Sequence, residues 1–164
     1  MKSIEIQNVG TVTFMMFAKD AFDGLLLVEA NMNVLVNYSI DGRINQGFLE
    51  EEDKEDFRYQ NEYAYWGDIR QFCYDIIKGK KVPVGLKFIF KLSKENVPQF
   101  LQRNGIKDVE PDVIKGLFMN IKYENEKLTC VTGTSLSTFD LHDKRIEDAW
   151  DYEIAKFIEQ IDHA

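Results

Sequence analysis

Between residues 84 and 92, apolar and polar side chains alternate. Leu86, Phe88, Phe90 and Leu92 fall on one face of an extended chain, and Lys87 and Lys91 fall on the other. Such a segment is a half-buried strand, which needs neighbours that share its apolar side. The same period returns at 116–123, with Leu117, Met119, Ile121 and Tyr123 on one face. Glu124-Asn125-Glu126 then reads as a turn and Lys127–Thr132 as a return strand through Leu128 and Cys130. Past Gly133, a position suited to a bulge or bend, Thr134–Phe139 continues extended. Earlier, Leu25–Ala30 and Val34–Ile40 flank Asn31-Met32-Asn33, which reads as a strand, a short polar turn and a strand. Short turns join antiparallel neighbours, so these strands predict a mostly antiparallel sheet.

Other segments carry the helical period. From 145 to 161, Ile146, Ala149, Trp150, Ile154, Phe157, Ile158 and Ile161 recur at steps of three and four, which puts them on one face. Asp143 is placed to cap this helix, and Glu147 and Asp148 suit the positive end of its dipole. From 64 to 78, Trp66, Ile69, Phe72, Cys73, Ile76 and Ile77 make an apolar stripe, and Lys78-Gly79-Lys80-Lys81 supplies a glycine stop among bases. The spacing predicts burial of Trp150, Phe157 and Ile161 on one helix and of Trp66, Phe72 and Ile76 on the other. Residues 94–103 fit a shorter helix with Ser93 as its cap. Pro98 lies within it, so the helix either begins near Asn96 or kinks. Residues 9–18 have two readings. Gly10, Thr11, Val12 and Thr13 favour a strand, whereas Asn8 as a cap followed by Val9, Val12, Met16 and Phe17 fits a helix.

The order of elements favours the helix. A strand at 3–6, the segment 9–18 and a strand pair from Gly24 to about Asp41 parallel a strand at 84–92, a helix at 94–103 and a strand pair from Gly116 to about Asp140. The 164 residues are one domain's worth. The expectation is a single α+β domain over 1–164, with a mostly antiparallel sheet, helices, and two strand-helix-strand-strand repeats at about 3–42 and 83–141. An acidic insertion with a helix fills about 43–82, and a C-terminal helix fills about 143–162. Within the insertion, 44–62 contains Glu50-Glu51-Glu52-Asp53-Lys54-Glu55-Asp56 and reads as a solvated, partly disordered connection. The Asp-x-Asp-x-Asp-Gly spacing of a calcium loop is absent from it.

The net charge of −8 disfavours generic affinity for DNA or anionic lipid, but the charge is unevenly spread. Residues 78–107 hold eight bases against Glu95 alone, whereas 41–68 hold nine acids against three bases and 140–164 eight against three. Lys78, Lys80, Lys81, Lys87, Lys91, Lys94 and Arg103 of this basic stripe are the candidate contacts for a ligand or nucleic acid. The other reading of the stripe is a solvated face, or one docked on the acidic segments.

No nucleophile elbow, phosphate loop, zinc-protease or dinucleotide motif occurs, so no catalytic residue, metal site or cofactor is assigned. His142, between Asp140 and Asp143, and the terminal His163 read as polar loop residues, and Cys73 and Cys130 as buried core thiols. Thr132, Thr134, Ser135, Ser137 and Thr138 have no base at a recognisable spacing. Glu5 and Gln7 interrupt any leader-like apolar run, and no run approaches the ~20 residues of a membrane helix, so the expected location is the cytoplasm.

Leu86-Lys87-Phe88-Ile89-Phe90, the helix with Phe100-Leu101, and Gly116-Leu117-Phe118-Met119-Asn120-Ile121 resemble one half of a DNA sliding-clamp domain. Lys127–Leu136 resembles the clamp strand pair that ends in a Thr-Gly-Thr-Asp-Leu type sequence, with Ser135 in place of the Asp. That resemblance implies helices packed on antiparallel strands and contact with DNA or a replication protein. The whole chain also resembles an uncharacterised family of small bacterial proteins of Firmicutes, which implies no function. Two functional expectations follow. The first is a non-enzymatic interaction module, working through its sheet edges or the basic stripe, with an unknown protein partner, weak nucleic-acid binding or its own copies. The second is an enzyme or binding protein for a small anionic ligand held by 78–107.

Overall fold

A computed structural model describes residues 1–137 and 143–164. Six strands form one antiparallel sheet: β1 (Ser3–Ile6), β2 (Leu26–Asn33), β3 (Asn37–Asp41), β4 (Gly85–Lys91), β5 (Ile114–Glu124) and β6 (Lys127–Leu136), in the order β1-β6-β5-β4-β2-β3. Asn125 and Glu126, both at positive φ, make the tight turn that joins β5 to β6. The register aligns the alternating apolar residues across the strands. Met32, Leu86 and Tyr123 share one row, and Ala30, Phe88, Ile121, Cys130 and Ile4 share the next. This is the buried face. On the other face, Glu29, Asn31, Lys87, Ile89, Phe118, Asn120, Thr129 and Val131 are exposed or half-buried, and no helix among the described residues covers them.

Among the described residues, α1 (Val9–Phe17), α2 (Trp66–Ile77) and α4 (Arg145–Asp162) cover the apolar face. The short α3 (Val97–Arg103) closes the end of that layer against α4, where Phe100 meets Trp150 edge-on at 5.8 Å. The middle of the core is aromatic. Phe17, Phe22, Trp66, Phe88 and Phe90 pack with ring centroids 5.3–5.7 Å apart, mostly edge to face. Both indole N–H groups are satisfied, Trp66 donating to Met16 O and Trp150 to Phe118 O, each at 2.8 Å. Residues 9–17 are helical despite Thr11, Val12 and Thr13, because Val12, Met16 and Phe17 reach the core. Cys73 and Cys130 are buried, and burial pushes both thiols up to about 12, which keeps them protonated and inert at neutral pH.

Several sequence expectations are corrected. Phe72 is not part of the core. It is 66% exposed, while Trp66 and Cys73 are buried and Ile69, Ile76 and Ile77 half-buried. Phe157 is half-buried, with its ring 5.2 Å from Phe22. The turn between β2 and β3 lies at 34–36 and not at Asn31-Met32-Asn33, whose central Met32 is fully buried. Pro98 sits in the first turn of α3, where its missing N–H costs no helical bond. Neither Ser93 nor Asn8 caps through its side chain; the start of α1 is held instead by Asp162. The acidic segment is built of three short 3-10 turns and is tied back to the sheet by Ala64 N–H to Gly42 O and Leu27 N–H to Ala64 O. Thr138, Phe139, Asp140 and His142, and the readings attached to them, lie outside the described residues.

Candidate binding groove

The C-terminal end of β4, the start of β5 and the start of α3 meet the 60–63 segment around an open groove of about 700 Å³. That lies within the ~300–1,000 Å³ typical of small-molecule sites. Leu92, Val97, Pro98, Ile114 and Leu117 contribute its apolar lining. They gather here because β4 ends and β5 begins at the same end of the sheet, where α3 starts.

Lys91, Lys94 and Lys115 bring three ammonium groups to this groove. Lys91 is on the open face of β4, and its Nζ stands 5.7 Å from the Tyr63 ring centre and 5.8 Å from that of Phe118. Two aromatic faces thus hold the cation without neutralising it. Lys94 lies in the single 3-10 turn before α3, and Lys115 near the start of β5, and both are exposed. None of the three forms an ion pair among the described residues. Two acids also line the groove. Glu62 is engaged by Arg43 at 3.4 Å, and Asp112 lies in the turn before β5. The Phe118 ring covers Gly116, where a Cβ would fall 2.4 Å from ring carbons, and Gly133 lies opposite Phe118 on β6. Gly116 leaves the space that this ring fills.

The rest of the basic stripe is dispersed. Lys78 pairs with Asp75 at 3.2 Å across one helical turn. Lys80 and Lys81 are exposed in the turn after α2, ahead of β4 and so away from the groove at its other end. Lys87 is exposed on the open face beside Lys122, its register partner. Arg103 is engaged internally, its guanidinium holding Glu153 of α4 through two bonds of 3.1 and 3.0 Å. Of the seven stripe residues, Lys91 and Lys94 therefore meet in one site. Lys115, Tyr63 and Phe118 join them from outside the stripe. No sequence signal pointed to them, since nothing local ties Tyr63 of the acidic insertion to a lysine of β4.

Fold and groove together define an α+β protein with helices on one face of an antiparallel sheet and a lysine-bearing cleft at the strand ends. The chain belongs to the family described as a family of unknown function (DUF5721), which matches residues 15–164. No curated protein and no solved structure matches it. Among the described residues, no helix is long and apolar enough to cross a membrane.

Proposed function

We propose that this protein is a non-enzymatic binding module that takes a small phosphorylated ligand in the groove. The carrying observation is the three ammonium groups of Lys91, Lys94 and Lys115 around an apolar floor, none of them in an ion pair among the described residues. Lysines act on phosphate as mobile point charges, and the floor accepts the apolar body of an organic phosphate. Tyr63 and Phe118 position Lys91, and Arg43 neutralises Glu62, which leaves Asp112 as the one unpaired acid lining the groove among the described residues.

The test is thermal denaturation and titration calorimetry of the wild type, Lys94→Glu and Lys115→Glu with inorganic phosphate, a sugar phosphate and a nucleoside monophosphate. A ligand at a hundred times its Kd adds about 2.7 kcal/mol of stability, or roughly 5–10 °C for a chain of this size. That shift is expected with an organic phosphate and is expected to vanish in both variants. No shift with any of the three would reject the reading. A parallel salt titration with a labelled duplex and a single strand tests the clamp-like alternative, in which the same lysines meet a nucleic-acid backbone. Binding there would fall steeply with salt.

A further inference from the structure

We infer that β3 is the joint of a homodimer: a second copy of this chain adds its own β3 antiparallel to the first, continuing the sheet across a two-fold axis at Ser39. This inference does not rest on the groove. β3 is an edge strand, exposed at Asn37, Tyr38, Ser39 and Asp41. Val34 N–H donates to Val36 O, and Gly42 N–H donates to Val28 O. These bonds set the phase of the ladder. The even-numbered residues of β3 turn their backbone groups to β2, and Asn37, Ser39 and Asp41 turn theirs outward. Between Asn37 and Asp41 the strand has no lysine, proline or bulge, and its one charge, Asp41, is its last residue. The opposite edge, β1, is only four residues long and carries Glu5.

The occupant is read from the strand itself, which is self-complementary. With Ser39 opposite Ser39 of the second copy, Asn37 faces the copy's Asp41 in an amide–carboxylate pair. The outward N–H and C=O groups of both strands then meet in register. Tyr38 faces the copy's Ile40 in the closer, non-hydrogen-bonded pairs. Both of these side chains are on the helix-covered side, in register with buried Met32 and Ala30.

The helix layer completes the contact. On α2, Arg70 reaches back to Asp23 and to Phe17 O on the α1 side. Phe72, two residues on, is rotated by about 200° from Arg70 and so lies on the side of α2 turned away from α1, with half-buried Ile76 one turn further along the same side. Across the axis, β2 of one copy and β2 of the other are ~14 Å apart, given ~4.8 Å per strand. Two α2 helices seated there are wider apart than the usual 8–10 Å of helix packing, and large side chains are needed to fill the gap. The exposed Phe72 ring supplies that volume from each copy. Leu35 (99% exposed), Val82 and Val84 extend the apolar edge at the hairpin tip, where Val84 N–H is bonded to Asn33 O.

Sedimentation velocity of the full chain over a wide concentration range, at low and physiological salt, tests this. A dimer is expected at high concentration. It should tighten with salt, because each copy carries −8 and the two repel. Ser39→Lys, which sets two ammonium groups face to face, and Ser39→Pro, which removes an outward N–H, each lose within the monomer only the exposed bond from the Ser39 hydroxyl to Asn31 Oδ1, and both should be monomeric with unchanged circular dichroism. In the wild type, the amides of Asn37, Ser39 and Asp41 should gain hydrogen-exchange protection as concentration rises, a readout that needs no variant to fold. A wild type that stays monomeric overturns the inference. So does a dimer that both variants retain, or one that leaves those amides unprotected.

Discussion

Asp162 is two residues from the end of the chain, yet it is 5% exposed. Its carboxylate accepts the backbone N–H groups of Gln7 at 3.0 Å and Asn8 at 2.7 Å, tying α4 to the start of α1. Burial alone would push this carboxyl up, but the two amide bonds outweigh it and hold it below the ordinary aspartate value. A carboxyl with a depressed folded value adds stability above its unfolded value near pH 4, and that stability is lost as pH falls through the folded one. Asp162→Ala should cost about 2–3 kcal/mol in a urea titration at pH 7, in keeping with hydrogen bonds to a charged group. The cost should shrink when the titration is repeated below pH 3. A cost unchanged by acid would show that the ionised form is not what ties the ends. Gly42 illustrates a different constraint at this scale. A Cβ there would lie 1.8 Å from Leu27 O, so no side chain fits where the chain leaves β3.

At the scale of the element, α2 shows how a helix turns its stripe. Its apolar stripe, from Phe72 round to Ile77, spans about 140° at ~100° per residue, and the core takes the sector centred on Trp66 and Cys73. Trp66→Ala should cost about 3–5 kcal/mol, since it empties an aromatic site at the centre of the core and leaves Met16 O without its donor. Phe72→Ala should change the stability of the dilute monomer by no more than about 0.5 kcal/mol, as exposed substitutions do. Equal losses at the two positions, measured by denaturant unfolding, would refute this assignment of the helix faces.

Over the whole molecule, 28 acids outnumber 20 bases on a sheet that, among the described residues, is helix-covered on one side and open on the other. Some opposite charges are paired across elements, as in Arg103 with Glu153 and Arg145 with Asp108 and Asp143. Arg145 holds the Asp143 carboxyl down to about 2. The remaining excess of acid repels itself. Added sodium chloride up to physiological strength should therefore raise the Tm, by roughly a few degrees, by screening that repulsion. A Tm that falls with salt would mean that the ion pairs outweigh the self-repulsion.

The strands were legible in the sequence wherever one face is buried and the other wet, because a period of two then appears directly in the residue types. Leu86 to Leu92 and Leu117 to Tyr123 are of this kind. The C-terminal helix was legible for the equivalent reason, and the helix at 9–17 only through the order of elements, since its own residues fit a strand and a helix alike. What the residues could not settle was decided by tertiary contact. Met32 looks like a turn residue between two asparagines until β4 supplies the neighbour that buries it, and Phe72 looks like core until α1 fixes the rotation of α2. The basic stripe is contiguous in sequence but not in space. Its members leave β4 and its flanking helices in different directions, and Lys91 and Lys94 form a site only where strand ends bring Lys115 and Tyr63 beside them. Local pattern determined which segments are strands and helices, because burial of a face acts on consecutive residues. Which cations meet, and which apolar side chains stay exposed, depends on residues far apart in the chain, and only the packed fold decides that.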